Sequence, residues 1–434
     1  MTAIWPAVAG FAGTLWASRA GQGRARFEAW QKRQLDRWLA RDLPRVAFYA
    51  DAPRRLHDLP VIDKAMVMAR FQDFNRGGIT AEQGWQAFAG PGRIGAVSIG
   101  ASTGTSGNRM LYAVTPEEQA RWVGTMLAKT VPGFLWQPER VAVILPQASA
   151  LYDSAGRTRR LKLQFFDLGQ GVESWADRLA AFAPTCVIAP PRVLRRLAEL
   201  PLPLSPRRLY SGAETLDPID RAVIEARFSL PLGQIYMATE GLFAVTCPQG
   251  RLHLAEDSVH FEFLPVGDGL VTPLITGFRR RFQIMARYRM NDLLRLSPHA
   301  CPCGSPLRVV EEVVGRMDDS FTFDRADGTA VLVTPDVLRN AVLDAARDIT
   351  DFRIWREARD GLVLILPPEV PAPSAQAARA ALQAQTARRG LAVTVSLRRA
   401  PLGFDPGRKL RRVENRWPAG GGQPALPSAS NSLP

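Results

Sequence analysis

Apolar and polar positions follow two rhythms along this chain. Between residues 24 and 42, "RARFEAWQKRQLDRWLARD" sets Phe27, Trp30, Leu35, Trp38 and Leu39 near helical spacing with charge on the other face, predicting an amphipathic docking helix. "LPVIDKAMVMARFQDFNRGGIT" predicts a turn and then a helix from near Asp63 that ends at Gly77-Gly78. After Pro91 the rhythm changes to short apolar runs alternating with helical stretches. "GAVSIGAS", "ERVAVILP" and "LQFFDL" have strand length, "PEEQARWVGTMLAKTV" reads as a helix, and "PTCVIAPPRVLRRLAEL" reads as a strand with a helix behind it. "RRLYSGAETLDPIDRAVIEARF" and "LGQIYMATEGLFAVT" repeat that texture, which is α/β, with ligand sites expected in the loops at strand ends.

An insert-like region from Cys247 to Cys303 shows strand alternation in "SVHFEFLP" and a basic run at Arg279 to Arg281. Beyond "VVGRMDDSFTF" the chain reads as a small α+β domain, with helices in "TPDVLRNAVLDA" and "SAQAARAALQAQTARRG" and strands in "GLVLILPP" and "LAVTVSLR". The expected organisation is a large domain over 1–317, a small domain over 318–416 hinged near Asp318, and a disordered tail, "WPAGGGQPALPSASNSLP", over 417–434.

Composition narrows the function classes. The chain has 434 residues, 46% hydrophobic and 22% charged, ample for a large core and a second, smaller one. Its apolar opening meets Arg19 before the roughly 20 residues that a bilayer needs, so no membrane anchor is expected. Four cysteines are too few for a disulfide scaffold at this length and suit a reducing, cytoplasmic compartment. The net charge of +14 is scattered arginine without a base-reading module, which favours small anionic substrates over nucleic acid.

The most suggestive loop is "SIGASTGTSGNRMLYAVT", residues 98–115. Small residues let consecutive N–H groups point inward, and the hydroxyls of Ser102, Thr103, Thr105 and Ser106 add donors, as a phosphate cradle requires. By itself the stretch fits a strand-to-helix turn equally well. Further along come "SGAE" (211–214), "IYMATEG" (235–241), "ARYRMNDLLRL" (286–296), "EEVVGRMDD" (311–319) and "GRKLRRVENR" (407–416).

In that order and spacing the motifs resemble the adenylate-forming superfamily of acyl- and aryl-CoA ligases, within it the phenylacetate-CoA ligase branch and its deazaflavin-adenylating relatives. The resemblance runs from residue 59 to "LRRVEN" and covers the first 50 residues only loosely. It implies an α/β adenylate-forming fold with a large N-terminal domain and a small mobile C-terminal one. It also implies a reaction in which a carboxylate attacks the α-phosphate of ATP to give an acyl or aryl adenylate, then transfer to coenzyme A or a carrier-protein thiol. On its motifs, Ser102, Thr103, Gly104, Thr105, Ser106 and Gly107 would hold the β- and γ-phosphates, with Arg109 as an added cation. Gly212, Ala213 and Glu214 would line the adenine site, and Tyr236 would border the adenine or acyl pocket. Thr239 would contact the α-phosphate, Glu240 would hold Mg²⁺, Asp292 would accept from the ribose hydroxyls, and Arg316 would lie near ribose and phosphates. Asp318 matches the hinge, and Lys409 would reach the carboxylate and α-phosphate as a compact charge on a long stem.

Cys247, His253, Cys301 and Cys303 form a complete tetrahedral zinc set by type, with five residues between the first two and one between the last two. His299 is an alternative ligand, and unconnected thiols are the plain alternative. Relatives in the branch carry zinc near this region, which implies a structural Zn²⁺.

Three positions depart from the family pattern. Asn108 stands where a cation is expected, Met237 stands where a glycine commonly follows the tyrosine, and "SFTFDRADGTAVLVTP" lacks a glycine-rich turn. These leave the acceptor open. The competing expectations are adenylation of a hydroxyl-bearing substrate without coenzyme A and an inactive zinc-braced binding protein. A homodimer is left open too.

Overall fold

The structure, a computed structural model, describes residues 4–102, 109–145, 160–403 and 410–417. The first helix, α1 (Ile4–Ser18), carries no charge along its length, and α2 (Arg24–Arg41) buries Phe27, Leu35, Trp38 and Leu39 as its spacing predicts. The next helix is shorter than expected. α3 (Lys64–Ala69) starts on an Asp63 cap that accepts from the N–H of Met66 at 2.9 Å, then gives way to a tighter turn over Phe71–Phe74. Asn75 stops it, donating to the carbonyls of Phe71 (2.7 Å) and Ile79 (2.9 Å) while its own carbonyl accepts from the N–H groups of Gly77 and Ile79. Both Phe71 and Phe74 of that turn lie in the core.

After α4 (Ala81–Ala89), strands β1 (Arg93–Ile94), β2 (Val97–Ala101) and β3 (Leu111–Val114) form a small antiparallel sheet, and α5 (Pro116–Thr130) follows behind a Thr115–Glu118 capping box. α1 lies across α5 with backbones nearly touching. A Cβ on Gly10 would stand 2.3 Å from the Arg121 carbonyl oxygen, and one on Gly124 would stand 1.9 Å from that of Ala7.

A twelve-stranded sheet organises the larger part of the chain. Its first half is parallel, in the order β5 (Leu161–Asp167), β4 (Glu139–Leu145), β6 (Cys186–Ala189), β7 (Arg208–Gly212), β8 (Leu232–Ala238). The helices α6 (Ala176–Phe182), α7 (Pro191–Glu199) and α8 (Pro218–Phe228) contribute to the core on one face, and α5 flanks a second core on the other. The second half is antiparallel: β9 (Gly241–Thr246), β10 (Leu252–Leu254), β15 (Val309–Arg316), β14 (Asp292–Leu296), β12 (Leu270–Thr276) and β11 (His260–Gly267), with β13 (Tyr288–Arg289) beside β12. The stretch from Cys247 to Cys303 is therefore no insert, since its strands extend the same sheet.

The remainder builds a separate core. The hairpin β16 (Phe321–Asp324) and β17 (Ala330–Val333), α9 (Pro335–Ala345), α10 (Ala372–Ala387) and the sheet β20 (Thr394–Arg399), β19 (Gly361–Leu366), β18 (Arg353–Ala358), β21 (Val413–Asn415) close around Phe321, Phe323, Phe352, Leu364 and Leu382. Among the described residues, no helix is long and apolar enough to cross a membrane.

Candidate active site and metal cluster

Parallel strands all point their carboxyl ends at one edge of a sheet, and ligands gather there. Here that edge carries the turn after β7 and the Thr239–Glu240 turn joining β8 to β9. Ala213 holds a left-handed backbone at φ 67°, uncommon for a residue with a Cβ, and faces a cavity of ≈ 320 Å³ together with Ser102, Met237, Thr239, Glu240 and Gly241.

Two tyrosines aim the acids of this edge. Tyr288 donates to Glu240 Oε1 at 2.9 Å, and Tyr236 donates to Asp292 Oδ2 at 2.7 Å. Burial pushes the Glu240 carboxyl above its ordinary range, opposed by the Tyr288 hydrogen bond and reinforced by the charge of Asp292. Burial likewise raises both tyrosines, with the carboxylate each one serves adding to the effect. Lys64, at the start of α3, is held below the usual lysine range by burial while Glu240 and Asp318 pull it back up. Glu240 faces the cavity as a partly buried carboxylate whose charge is disfavoured by desolvation and by Asp292, and such an oxygen donor suits a divalent ion.

Arg316 stands opposite Asp292 across β14 and β15, and Asn291 donates its side-chain amide to Asp318. Gly212 is buried at the end of β7. Glu214 forms an ion pair with Arg192 of α7 at 3.0 Å, both side chains buried, so it fixes the turn that presents Ala213. Ser102 anchors the base of the opening loop, its N–H donating to the Met110 carbonyl and its hydroxyl accepting from the Met110 N–H, each at 2.8 Å. Arg109 donates to the Ser102 carbonyl at 2.9 Å and lies over the rings of Trp85 and Phe88, 5.4 and 4.9 Å away. It does not line the cavity in this arrangement. Thr103, Gly104, Thr105, Ser106, Gly107 and Lys409 lie outside the described residues.

Sequence reasoning assigned no role to Lys64 or Tyr288. "YR" before "MND" was visible, but only the fold shows that its tyrosine reaches Glu240, which is 48 positions away.

The cysteine and histidine set comes together at the opposite end of β9 from Glu240, about six strand residues or ~20 Å away. Cys247 follows β9 and His253 lies on β10. Because β10 pairs with β15, the turn that carries Cys301 and Cys303 lands beside them. The four ligand atoms lie within 4.8 Å of one another, with Cys247 Sγ to Cys301 Sγ at 3.7 Å and Cys303 Sγ to His253 Nε2 at 3.5 Å. A tetrahedron built on ordinary metal–thiolate and metal–imidazole bonds has edges of about 3.8 Å between sulfurs and about 3.6 Å from sulfur to nitrogen. The opposite ring nitrogen, Nδ1, lies 2.9 Å from the Leu307 carbonyl, so as an N–H it donates there and leaves Nε2 its lone pair. Gly304, at φ 75°, makes the turn after the pair.

The fold is that of adenylate-forming ligases. The structure resembles 2-hydroxyisobutyryl-CoA ligase in its postadenylation state with a bound acyl-AMP, at a TM-score of 0.68 and 18% identity over 92% of this chain and 91% of that one. It resembles the amide bond synthetase McbA from Marinactinospora thermotolerans at a TM-score of 0.51 and 15% identity, over 73% and 68% of the two chains. A sequence relative, protein CapK of Staphylococcus aureus, is 23% identical over 207 residues, a stretch spanning 46% of this chain and 45% of that protein. No protein-family model matches the sequence.

Proposed function

We propose that this protein activates a carboxylic acid with ATP, forming an acyl or aryl adenylate and releasing pyrophosphate, and then passes the acyl group to coenzyme A. The observation that carries the reading is the pair of tyrosine–carboxylate contacts, Tyr288 to Glu240 and Tyr236 to Asp292, at the carboxyl edge of the parallel strands, where Glu240 lines the cavity with Thr239 and Ala213. Attack of a carboxylate on the α-phosphate needs charge neutralised and two anions aligned, with little covalent help from the protein. Glu240 is placed to hold Mg²⁺, which when bound supplies charge neutralisation at the phosphates. Asp292, fixed by Tyr236, is an acceptor suited to ribose hydroxyls. Thr239 and the Ser102–Gly107 loop bind phosphate oxygens, Ala213 and Gly212 leave room for the adenine, and Lys409 supplies the cation at the reacting carboxylate. The division into 1–317, 318–416 and a 417–434 tail, with Asp318 as hinge, belongs to the same reading, and so does the phenylacetate-CoA ligase branch.

The Cys247–His253–Cys301–Cys303 cluster is read as a structural zinc site. Three thiolates and an imidazole fill a tetrahedron with protein atoms, leaving no position for a substrate. Four cysteines with no disulfide among them suit the cytoplasm.

The test is ATP–pyrophosphate exchange across a panel of carboxylic acids, followed by product masses with and without coenzyme A. Acid-dependent exchange and a coenzyme A thioester are expected. A stable adenylate or a hydroxyl adduct with no thioester would overturn the transfer step, and absence of exchange with every acid would overturn the whole reading.

A further inference from the structure

The cavity that begins at Ser102, Thr239 and Glu240 continues away from the nucleotide edge, past Trp122 and Leu242, to a wall made by α1. Small residues of that helix make the wall: Ala9, Gly10, Gly13 and Thr14 face the cavity, and a Cβ on Gly13 would meet no atom within 4 Å. Across from α1 stand Arg121 of α5 and Arg279 and Arg280 from the turn after β12.

The carboxylates at this far end are already engaged. Asp257 pairs with Lys129 at 2.9 Å and accepts from the Thr14 hydroxyl at 2.9 Å. Glu118 accepts from the N–H groups of Arg281 (2.7 Å) and Phe282 (3.1 Å) and lies 3.7 Å from the Arg280 guanidinium. Two guanidiniums are left over, since among the described residues neither Arg121 nor Arg279 forms an ion pair. The hydrogen bonds and ring contacts that hold Arg279 are to neutral groups, the Gln34 side-chain carbonyl at 3.3 Å, the Asp257 backbone carbonyl at 3.4 Å and the rings of Trp30 and Phe278 at 5.5 and 5.1 Å, while the Asp257 carboxylate, already paired with Lys129, attracts it from beyond ion-pair distance. Burial and then the charge of Arg121 push it down to about 10. A fixed, desolvated guanidinium beside a second one, facing open space, is complementary to an anion.

We propose that this far end is a distal subsite for a second anionic group, so that the acid activated here is one bearing a carboxylate or comparable anion at the end remote from the reacting carboxyl. The inference rests on the adenylating reading and deepens it by naming the substrate class. The reacting carboxylate sits by Thr239 and Glu240, a largely apolar body lies along Trp122, Met237 and Leu242, and the remote anion reaches Arg279 and Arg121 in the space that Gly13 leaves open.

The experiment is ATP–pyrophosphate exchange by the full-length protein with matched acids: straight-chain monocarboxylic acids against α,ω-dicarboxylic acids of the same length, and phenylacetate against its para-carboxymethyl analogue. The expected result is a kcat/KM for the diacids about tenfold or more above that for their monoacid partners. Arg279→Gln is expected to bring that ratio close to one, chiefly through a higher KM for the diacid. Should Arg279→Gln lack a cooperative thermal transition, Arg121→Gln provides the same comparison. A wild-type protein that exchanges with the monoacids as well as or better than with the diacids overturns the inference alone, and so does a ratio preserved in the variant. No exchange with any acid overturns the inference together with the reading beneath it.

Discussion

Arg412 donates to both carboxylate oxygens of Asp220, at 2.7 and 3.0 Å, and so ties the C-terminal core to α8 of the larger one. Asp217 accepts from the same guanidinium and Asp351 lies 3.0 Å from its Nε. The side chains of Arg412 and Asp220 are 4% and 1% exposed, so the pair is out of water. Removing one partner of a buried pair costs about 3–5 kcal/mol when the other charge is left alone; here Arg195, Arg339 and Arg353 still pair with Asp220, Asp217 and Asp351, so that range is an upper bound. Arg412→Ala is therefore expected to lower the free energy of unfolding by up to about 3–5 kcal/mol in a urea titration. Arg412→Lys should recover only part of it, because an ammonium lacks the planar fork that reaches Asp217, Asp220 and Asp351 together. An unchanged midpoint for Arg412→Ala would show that the contact adds nothing.

Among the described residues, the Tyr236 hydroxyl makes one hydrogen bond, to Asp292 at 2.7 Å. A hydrogen bond to a charged group is worth about 1.5–3 kcal/mol, or roughly ten- to a hundredfold in binding. If Asp292 grips the ribose equally before and during the reaction, Tyr236→Phe raises the KM for ATP in that range with little change in kcat. Steady-state kinetics at varied ATP check this, and a fall in kcat at unchanged KM would move Asp292 from binding to chemistry.

Legibility followed sequence distance. Thr239 and Glu240 were named through the contiguous motif "IYMATEG" and its resemblance, and the fold sets that motif at the β8–β9 turn. The docking face of α2 was readable for the same reason. The role of Tyr288, the approach of Lys64 to Glu240 and the Arg412 cluster were hidden, since each joins segments that only the completed sheet brings together. α1 was read as an apolar opening and no more, because nothing in its composition reveals that it crosses α5 at Gly10 and Gly124 and walls the cavity. The cysteine set was legible by ligand type but not by position, which required β10 to lie beside β15.

Zinc occupancy makes a direct prediction. With the four ligand atoms inside 4.8 Å, the protein as purified is expected to hold about one equivalent of zinc by elemental analysis. Cys303→Ala should lose most of it, and a chelator should lower the thermal midpoint, because the metal closes the β9–β10 turn onto the loop before β15. Exchange activity should decline only as far as the fold does. Metal-free protein with an undiminished midpoint would argue that the cluster is a set of unmetallated thiols.

Asp319 sets a pH dependence whose direction can be worked out. Burial pushes its carboxyl from 3.8 up to about 6, against the pull of Arg411 at 3.3 Å. Between those values the unfolded chain has released this proton while the folded one retains it, so stability contributed by the protonated acid is complete below the lower value and lost as pH rises through the upper. The full span corresponds to about 3 kcal/mol. Asp319→Asn cannot ionise, so its stability relative to wild type should improve by up to that amount between about pH 4 and about pH 7.5. Losing the Arg411 partner shifts the comparison by an offset that bears mainly on the high-pH end, so the sign of the slope is the decisive observable. Urea titrations of both proteins at the two pH values measure it, and a difference that stays flat or runs against the variant as pH rises would mean that Arg411 holds Asp319 ionised throughout.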